Sequence, residues 1–184
     1  GGAVPTGGHI LNLSKLNRIT GMGWDAERKC FLLSVQPGVQ LNQLNKAIAE
    51  KSFDTTGWSA QAQSALRRFQ QSGAWFLPAD ITETTASIGG MVSTNASGAK
   101  SYRYGSMRQH VLGLRLLLAN GKSLSLRRGE QFAQGRQFAL RLDDGSQIAG
   151  QLPSYRMPQV KNASGYYVHE NMDLIDLFIG SEGT

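Results

Sequence analysis

Glycine is the residue whose type and spacing could do chemistry in this chain: there are 22 in 184 residues, about 12% against a usual figure near 7%. They cluster at Gly1-Gly2, Gly7-Gly8, Gly89-Gly90, Gly98, Gly105 and Gly180 to Gly183, which is not the spread of a flexible linker. Where glycine turns and helix starts leave successive backbone N–H groups unpaired, with no side chain in the way, the backbone forms a concave anion site. Three places meet that description: Gly1-Gly2, Ile88-Gly89-Gly90 and Gly180-Ser181-Glu182-Gly183. Together they are expected to hold a bulky phosphorylated ligand. Tight turns and close helix packing are the other reading of the same glycines.

Other chemistries lose ground. The dinucleotide fingerprint GxGxxG and the P-loop GxxxxGK[ST] are both absent, against a Rossmann nicotinamide site and a nucleoside triphosphatase. The single cysteine, Cys30, lies between Lys29 and the apolar Phe31-Leu32-Leu33 and can form no internal disulfide. It fits a reducing compartment and reads as a small buried hydrophobe. His9, His110 and His169 are far apart in sequence, so no metal site is expected.

The net charge of +6, from 19 Lys plus Arg against 13 Asp plus Glu, suits an acidic partner. The charges are scattered, however, and the densest basic spots, Arg67-Arg68 and Arg127-Arg128, are pairs outside any nucleic-acid motif. No nucleic-acid partner is expected. With 40% hydrophobic and 17% charged residues the chain belongs with soluble globular proteins. Its longest apolar stretch, Val111 to Ala119, is broken by Arg115 and falls far short of the roughly 20 residues of a membrane span.

The elements that must position the glycines follow from pattern. His9 to Leu13 and Cys30 to Val35 read as strands, the second closed by Pro37-Gly38. Val39, Leu41, Leu44, Ile48 and Ala49 recur at helical spacing, so a strand feeds a helix between Val39 and Phe53. Ser59 to Ser72 reads as a surface helix, and Trp75-Phe76-Leu77, stopped by Pro78, as a short strand beside the first two. A helix is expected to begin near Ser87, with Gly89 and Gly90 in its first turn despite a cost of about 1 kcal/mol each. Further on, Val111 to Ala119 and Ser123 to Arg127 flank Asn120-Gly121, and Phe138 to Leu142 and Gln147 to Ile148 flank Asp143-Asp144-Gly145. These predict two hairpins forming an antiparallel sheet. Asp173 to Ile179 predicts a short helix ahead of the last glycine turn. Lacking an initiating Met and ending abruptly in a glycine turn, the chain is expected to be a piece of a larger protein.

Six segments in this order resemble the PCMH-type FAD-binding domain of the FAD-linked oxidases, the family that includes D-lactate dehydrogenase, the glycolate oxidase FAD subunit and D-2-hydroxyglutarate dehydrogenase. They are Gly1-Gly2-Ala3-Val4-Pro5; Leu16-Asn17-Arg18-Ile19 with Val35-Gln36-Pro37-Gly38-Val39; Ile88 to Gly98; Tyr104-Gly105-Ser106-Met107-Arg108; Val111-Leu112-Gly113-Leu114 with Asn120-Gly121; and Phe178 to Thr184. Lys161 to Tyr166 resembles a further family segment. A turn packing Tyr166 on the sheet explains that segment as well as substrate contact does.

The resemblance implies an α+β fold of two α/β subdomains, 1–105 and 106–184, gripping an extended, noncovalent FAD between them, with a substrate domain beyond this chain. It implies that Gly1 and Gly2 close the pyrophosphate loop, and that Pro78, Ala79, Asp80, Ser87, Ile88, Gly89 and Gly90 line the cofactor through backbone. By the same resemblance Thr94, Asn95 and Gly98 lie near the isoalloxazine and ribityl chain, with Tyr104 and Gly105 following. Glu182, Gly183 and Thr184 then face the adenosine half. The implied reaction is hydride transfer from a D-2-hydroxy acid to FAD, with no catalytic residue assigned in this chain. A quinone, a cytochrome or an electron-transfer flavoprotein would serve as electron acceptor. The expected location is cytoplasmic or peripheral on an inner membrane face. Two rivals stay open: the FAD-dependent alkyl transfer of the alkylglycerone-phosphate synthase branch, and a noncatalytic polyanion-binding or assembly module. The Arg-Gly-x-Gly-Thr type start of the family's pyrophosphate loop is not in this sequence, and Ser123 to Tyr166 is longer than the family pattern leads one to expect.

Overall fold

A computed structural model describes residues 7–79, 81–160 and 165–183. Gly1, Gly2, Asp80 and Thr184 lie outside the described residues, as do residues 161–164. The fold class is α+β, and the chain divides into two compact units, Gly1–Met91 and Val92–Thr184.

The first unit is built on a hairpin of β1 (Ile19–Asp25) and β2 (Cys30–Val35), antiparallel, with an irregularity between Ile19 and Gly21. Helix α1 (Leu41–Glu50) buries Leu41, Leu44 and Ile48, spaced three and four apart so that they share one face. It ends where Lys51 turns left-handed at φ 53°, its N–H reaching back to the Ala47 and Ile48 carbonyls. Helix α2 (Ala60–Gln71) starts at Ser59, whose hydroxyl accepts from the Ala62 N–H at 3.2 Å. Its face of Ala62, Leu66 and Phe69 is buried, so this expected surface helix is amphipathic, one side serving the core. Phe31 stands edge-on to Trp24, Phe69 and Trp75, with centroids 4.8 to 5.1 Å apart, and Trp58 Nε1 donates to the Ile19 carbonyl at 2.9 Å.

Two expected strands are absent. His9 to Leu13 is irregular, with Ile10 and Leu11 76% and 77% exposed, and the strand that pairs with β2 is Ile19–Asp25 instead. Trp75 to Leu77 forms no ladder; Trp75 packs by its ring and donates Nε1–H to the Ser72 hydroxyl at 2.7 Å. In both places apolar pattern stood in for a backbone partner that the fold does not supply.

Helix α3 (Ile88–Ser93) begins where sequence predicts, and the division between the units falls within it. The second unit continues with α4 (Ser101–Tyr104) and a 3-10 turn at Met107–His110, neither anticipated. The hairpins follow as β3 (Gly113–Leu117) with β4 (Ser123–Arg127), and β5 (Gln137–Arg141) with β6 (Gln147–Gln151). Asn120-Gly121 turns the first: Gly121 has φ 79° and the Lys122 N–H donates to Asn120 Oδ1 at 3.0 Å. The two hairpins are separate two-stranded ladders rather than one sheet. A single backbone bond, Asp143 N–H to the Ser123 carbonyl at 2.9 Å, ties the turn of one to the start of the other. Leu124, Leu126, Leu140, Val168, Leu174, Ile175 and Ile179 make the core, with α5 (Ile175–Phe178) inside it. Among the described residues no helix is long and apolar enough to cross a membrane.

Candidate functional site

In the first unit the glycine segment is held by its own protein. The Ile88 N–H donates to the Val39 carbonyl at 2.8 Å, the Gly89 N–H to the Pro37 carbonyl at 2.9 Å and the Gly90 N–H to the Ser87 hydroxyl at 3.2 Å. The expectation of unpaired N–H groups at Ile88-Gly89-Gly90 is therefore corrected: packing against the Pro37-Gly38 turn uses these donors. Gly89 is small for the same reason, since a Cβ there would lie 2.5 Å from Pro37 Cβ. Ser87 bridges Gln40, and Ala79 is buried beside the half-buried Pro78 in sequence.

Gly90 differs from its neighbour. It is exposed, and beyond its own helix backbone the nearest described atom to where its Cβ would sit is Ser87 Oγ, at 3.0 Å. An exposed glycine at that position fits a cofactor approached along the main chain.

In the second unit the fold joins segments that are distant in sequence. The Gly180 N–H donates to the Val92 carbonyl at 3.0 Å and the Glu182 N–H to the Ser93 carbonyl at 2.8 Å, so the last glycine turn is fastened to the end of α3. The helix stops there because Asn95 takes the left-handed conformation at φ 45°. Gly180, at φ 88°, lies so close that its Cβ would stand 3.1 Å from Asn95 Cβ and 3.3 Å from Arg108 Nη2. Glycine meets both demands at that position. Thr94 is half-buried next to Asn95, and Glu182 and Gly183 are exposed with φ 56° and 82°. The Gly98 N–H donates to the Ser101 hydroxyl at 2.7 Å. Tyr104 ends α4 with the Arg103 guanidinium 5.3 Å from its ring centre, and the Gly105 N–H donates to the Ser101 carbonyl at 2.8 Å.

Sequence reasoning passed over the charged centre of this unit. Asp176 in α5 is buried and receives two arginines: Arg128 donates to its carboxylate at 2.8 and 3.1 Å, and Arg108 at 3.2 Å. Arg108 also donates to the Asp176 carbonyl at 2.6 Å and to the Ile179 carbonyl, and its guanidinium lies 4.3 Å from the Tyr167 ring centre. Its backbone N–H donates to Asn95 Oδ1 at 3.0 Å. Arg128 donates further to the Val111 and Arg108 carbonyls, and Asp173 lies 3.9 Å from it. Burial pulls the Arg108 guanidinium below its ordinary value against the opposing pull of Asp176, and hydrogen bonding to Asp176 raises that of Arg128. Both remain cations near neutrality. The signal was present: Asp176 is a lone carboxylate in the apolar run Leu174 to Phe178. Among the described residues no group of three metal-ligating side chains occurs.

Residues 53–127 match the family model described as FAD binding domain, a span that takes in Pro78 to Gly105, Arg108 and the first hairpin of the second unit. Over that span the chain resembles an FAD-binding domain. Its α+β class with antiparallel strands agrees with that domain. Across the whole chain it is 30% identical to a D-lactate dehydrogenase of Anaerostipes hadrus and to one of Archaeoglobus fulgidus, covering 26% and 28% of those proteins. A D-2-hydroxyglutarate dehydrogenase of Bos taurus is 34% identical over 121 residues, which is 65% of this chain and 16% of that protein. The chain thus spans about a quarter of the length of the two D-lactate dehydrogenases.

Proposed function

We propose that this chain is the FAD-binding portion of an oxidoreductase that oxidises a D-2-hydroxy acid of the lactate, glycolate or 2-hydroxyglutarate kind. The observation that carries the reading is the FAD-binding match through residues 53–127, joined to alignment of the whole chain with D-lactate dehydrogenases. Bound FAD would supply the hydride acceptor.

The chain's own part is to bind and orient the cofactor. Pro78, Ala79 and Ser87 to Gly90 would line it, as would Thr94, Asn95, Gly98, Tyr104, Gly105, Glu182 and Gly183. The glycine segments hold no Cys or His, so attachment would be noncovalent. The substrate, and the quinone, cytochrome or flavoprotein that accepts electrons, would be met by the whole enzyme.

The test is made on the full-length protein containing this chain. It should purify yellow and release its flavin on acid precipitation. Gly90→Val should strip the flavin while far-ultraviolet circular dichroism stays unchanged. Gly73→Ala, at a position with open space around it, should keep the flavin. A colourless wild-type protein that gains no flavin on titration with FAD would overturn the reading.

A further inference from the structure

Arg108 occupies a place that the cofactor residues themselves do not explain. Its side chain donates to the carboxylate and carbonyl of Asp176 and to the carbonyl of Ile179, the residue before the last glycine turn. Its backbone N–H donates to the Asn95 side chain. One residue therefore holds both the left-handed end of α3 and the entry to the Gly180 turn, and Gly180 packs against it.

We propose that Arg108 is a positioning residue for FAD, its fork of donors setting the Gly180–Gly183 turn against Val92–Asn95 so that Thr94, Glu182 and Gly183 form one surface for the cofactor. The proposal rests on the FAD-binding reading. Its physical basis is geometric. Only a planar guanidinium reaches two carbonyls and a carboxylate at fixed angles, and a lysine in the same place carries the charge without the fork. The guanidinium is kept in plane by the Tyr167 ring on one side and by Asp176, which Arg128 holds in turn. The four side chains Arg108, Arg128, Asp173 and Asp176 carry no net formal charge together.

The experiment compares FAD dissociation constants in the full-length protein, by fluorescence titration of the apoprotein well below its melting transition. Arg108→Lys should raise the constant about tenfold, as expected when a forked, charge-assisted contact is lost. Tyr167→Leu, which removes the ring and keeps apolar cover, should raise it about threefold. Leu140→Ala, a buried residue of β5, is the stability control: it should lower the melting temperature at least as much while leaving the constant within twofold. Should Arg108→Lys fail to fold, Tyr167→Leu decides. If wild type binds FAD and the Arg108 or Tyr167 variant binds it equally well, or if affinity merely follows melting temperature across all three variants, the positioning role is wrong and the FAD reading stands. A wild type that binds no FAD overturns both.

Discussion

Arg108 grips Asp176 twice, donating to its main-chain carbonyl at 2.6 Å and to its carboxylate at 3.2 Å, with both side chains nearly nine-tenths buried. An ion pair removed from water in this way is costly to break from one side, because the remaining charge has no solvent to turn to.

Asp176→Asn should consequently destabilise the second unit by about 3 kcal/mol, since it leaves the Arg108 and Arg128 guanidinia around a neutral amide. Urea unfolding of the full-length protein measures this. A loss below about 1 kcal/mol would place the pair among ordinary surface ion pairs.

Gly89→Ala and Gly90→Ala should separate stability from binding. At Gly89 the added carbon meets Pro37 Cβ at 2.5 Å and the Pro37 backbone at 3.0 Å, and overpacking of this kind costs about 1 to 3 kcal/mol. At Gly90 the nearest described atom beyond its own helix backbone is the movable Ser87 hydroxyl, at 3.0 Å, and alanine gains up to about 1 kcal/mol of helix propensity. Thermal melts should show the first variant less stable and the second not, with FAD weakened in the second. Equal melting temperatures would mean that Pro37 yields without cost.

His110 should impose a pH dependence on stability. Its Nε2 is buried without a hydrogen-bond partner among the described residues, and burial pushes its pKa below the ordinary 6.5, against a smaller upward pull from the Tyr104 backbone. The unfolded chain then binds a proton at a pH where the native chain does not. Stability is intact above about 6.5 and falls as pH drops from there toward the lowered native value. Melting temperatures between pH 7.5 and 5 should decline in wild type and decline less in His110→Phe. Parallel curves would assign the decline to other groups.

Much of the fold was legible because its signals are local. Asn120-Gly121 and Asp143-Asp144-Gly145 turn their hairpins where expected, and Leu41, Leu44 and Ile48 announce α1 by spacing alone. Strand β1 was not legible. Ile19–Asp25 carries Gly21 and Gly23 and has little strand character of its own, while His9 to Leu13 looks more apolar and forms no ladder among the described residues. A strand is settled by the partner that takes its backbone hydrogen bonds, and β2 lies on the far side of a turn that pattern does not rank.

The glycines divide along the same line. Sequence by itself singled out Ile88 to Gly98 and Phe178 to Thr184, through composition and the resemblance of ordered segments. Only the tertiary structure decided that Gly89 serves packing on Pro37, and that the N–H donors of Ile88, Gly89 and Gly90 are spent inside the protein. It alone brought Asn95, Arg108 and Gly180 into contact around Asp176. Local pattern reports what a residue's neighbours in the chain require of it. The cost of burying a carboxylate and two guanidinia together is met only by their mutual geometry, which exists once the segments carrying them have folded onto one another.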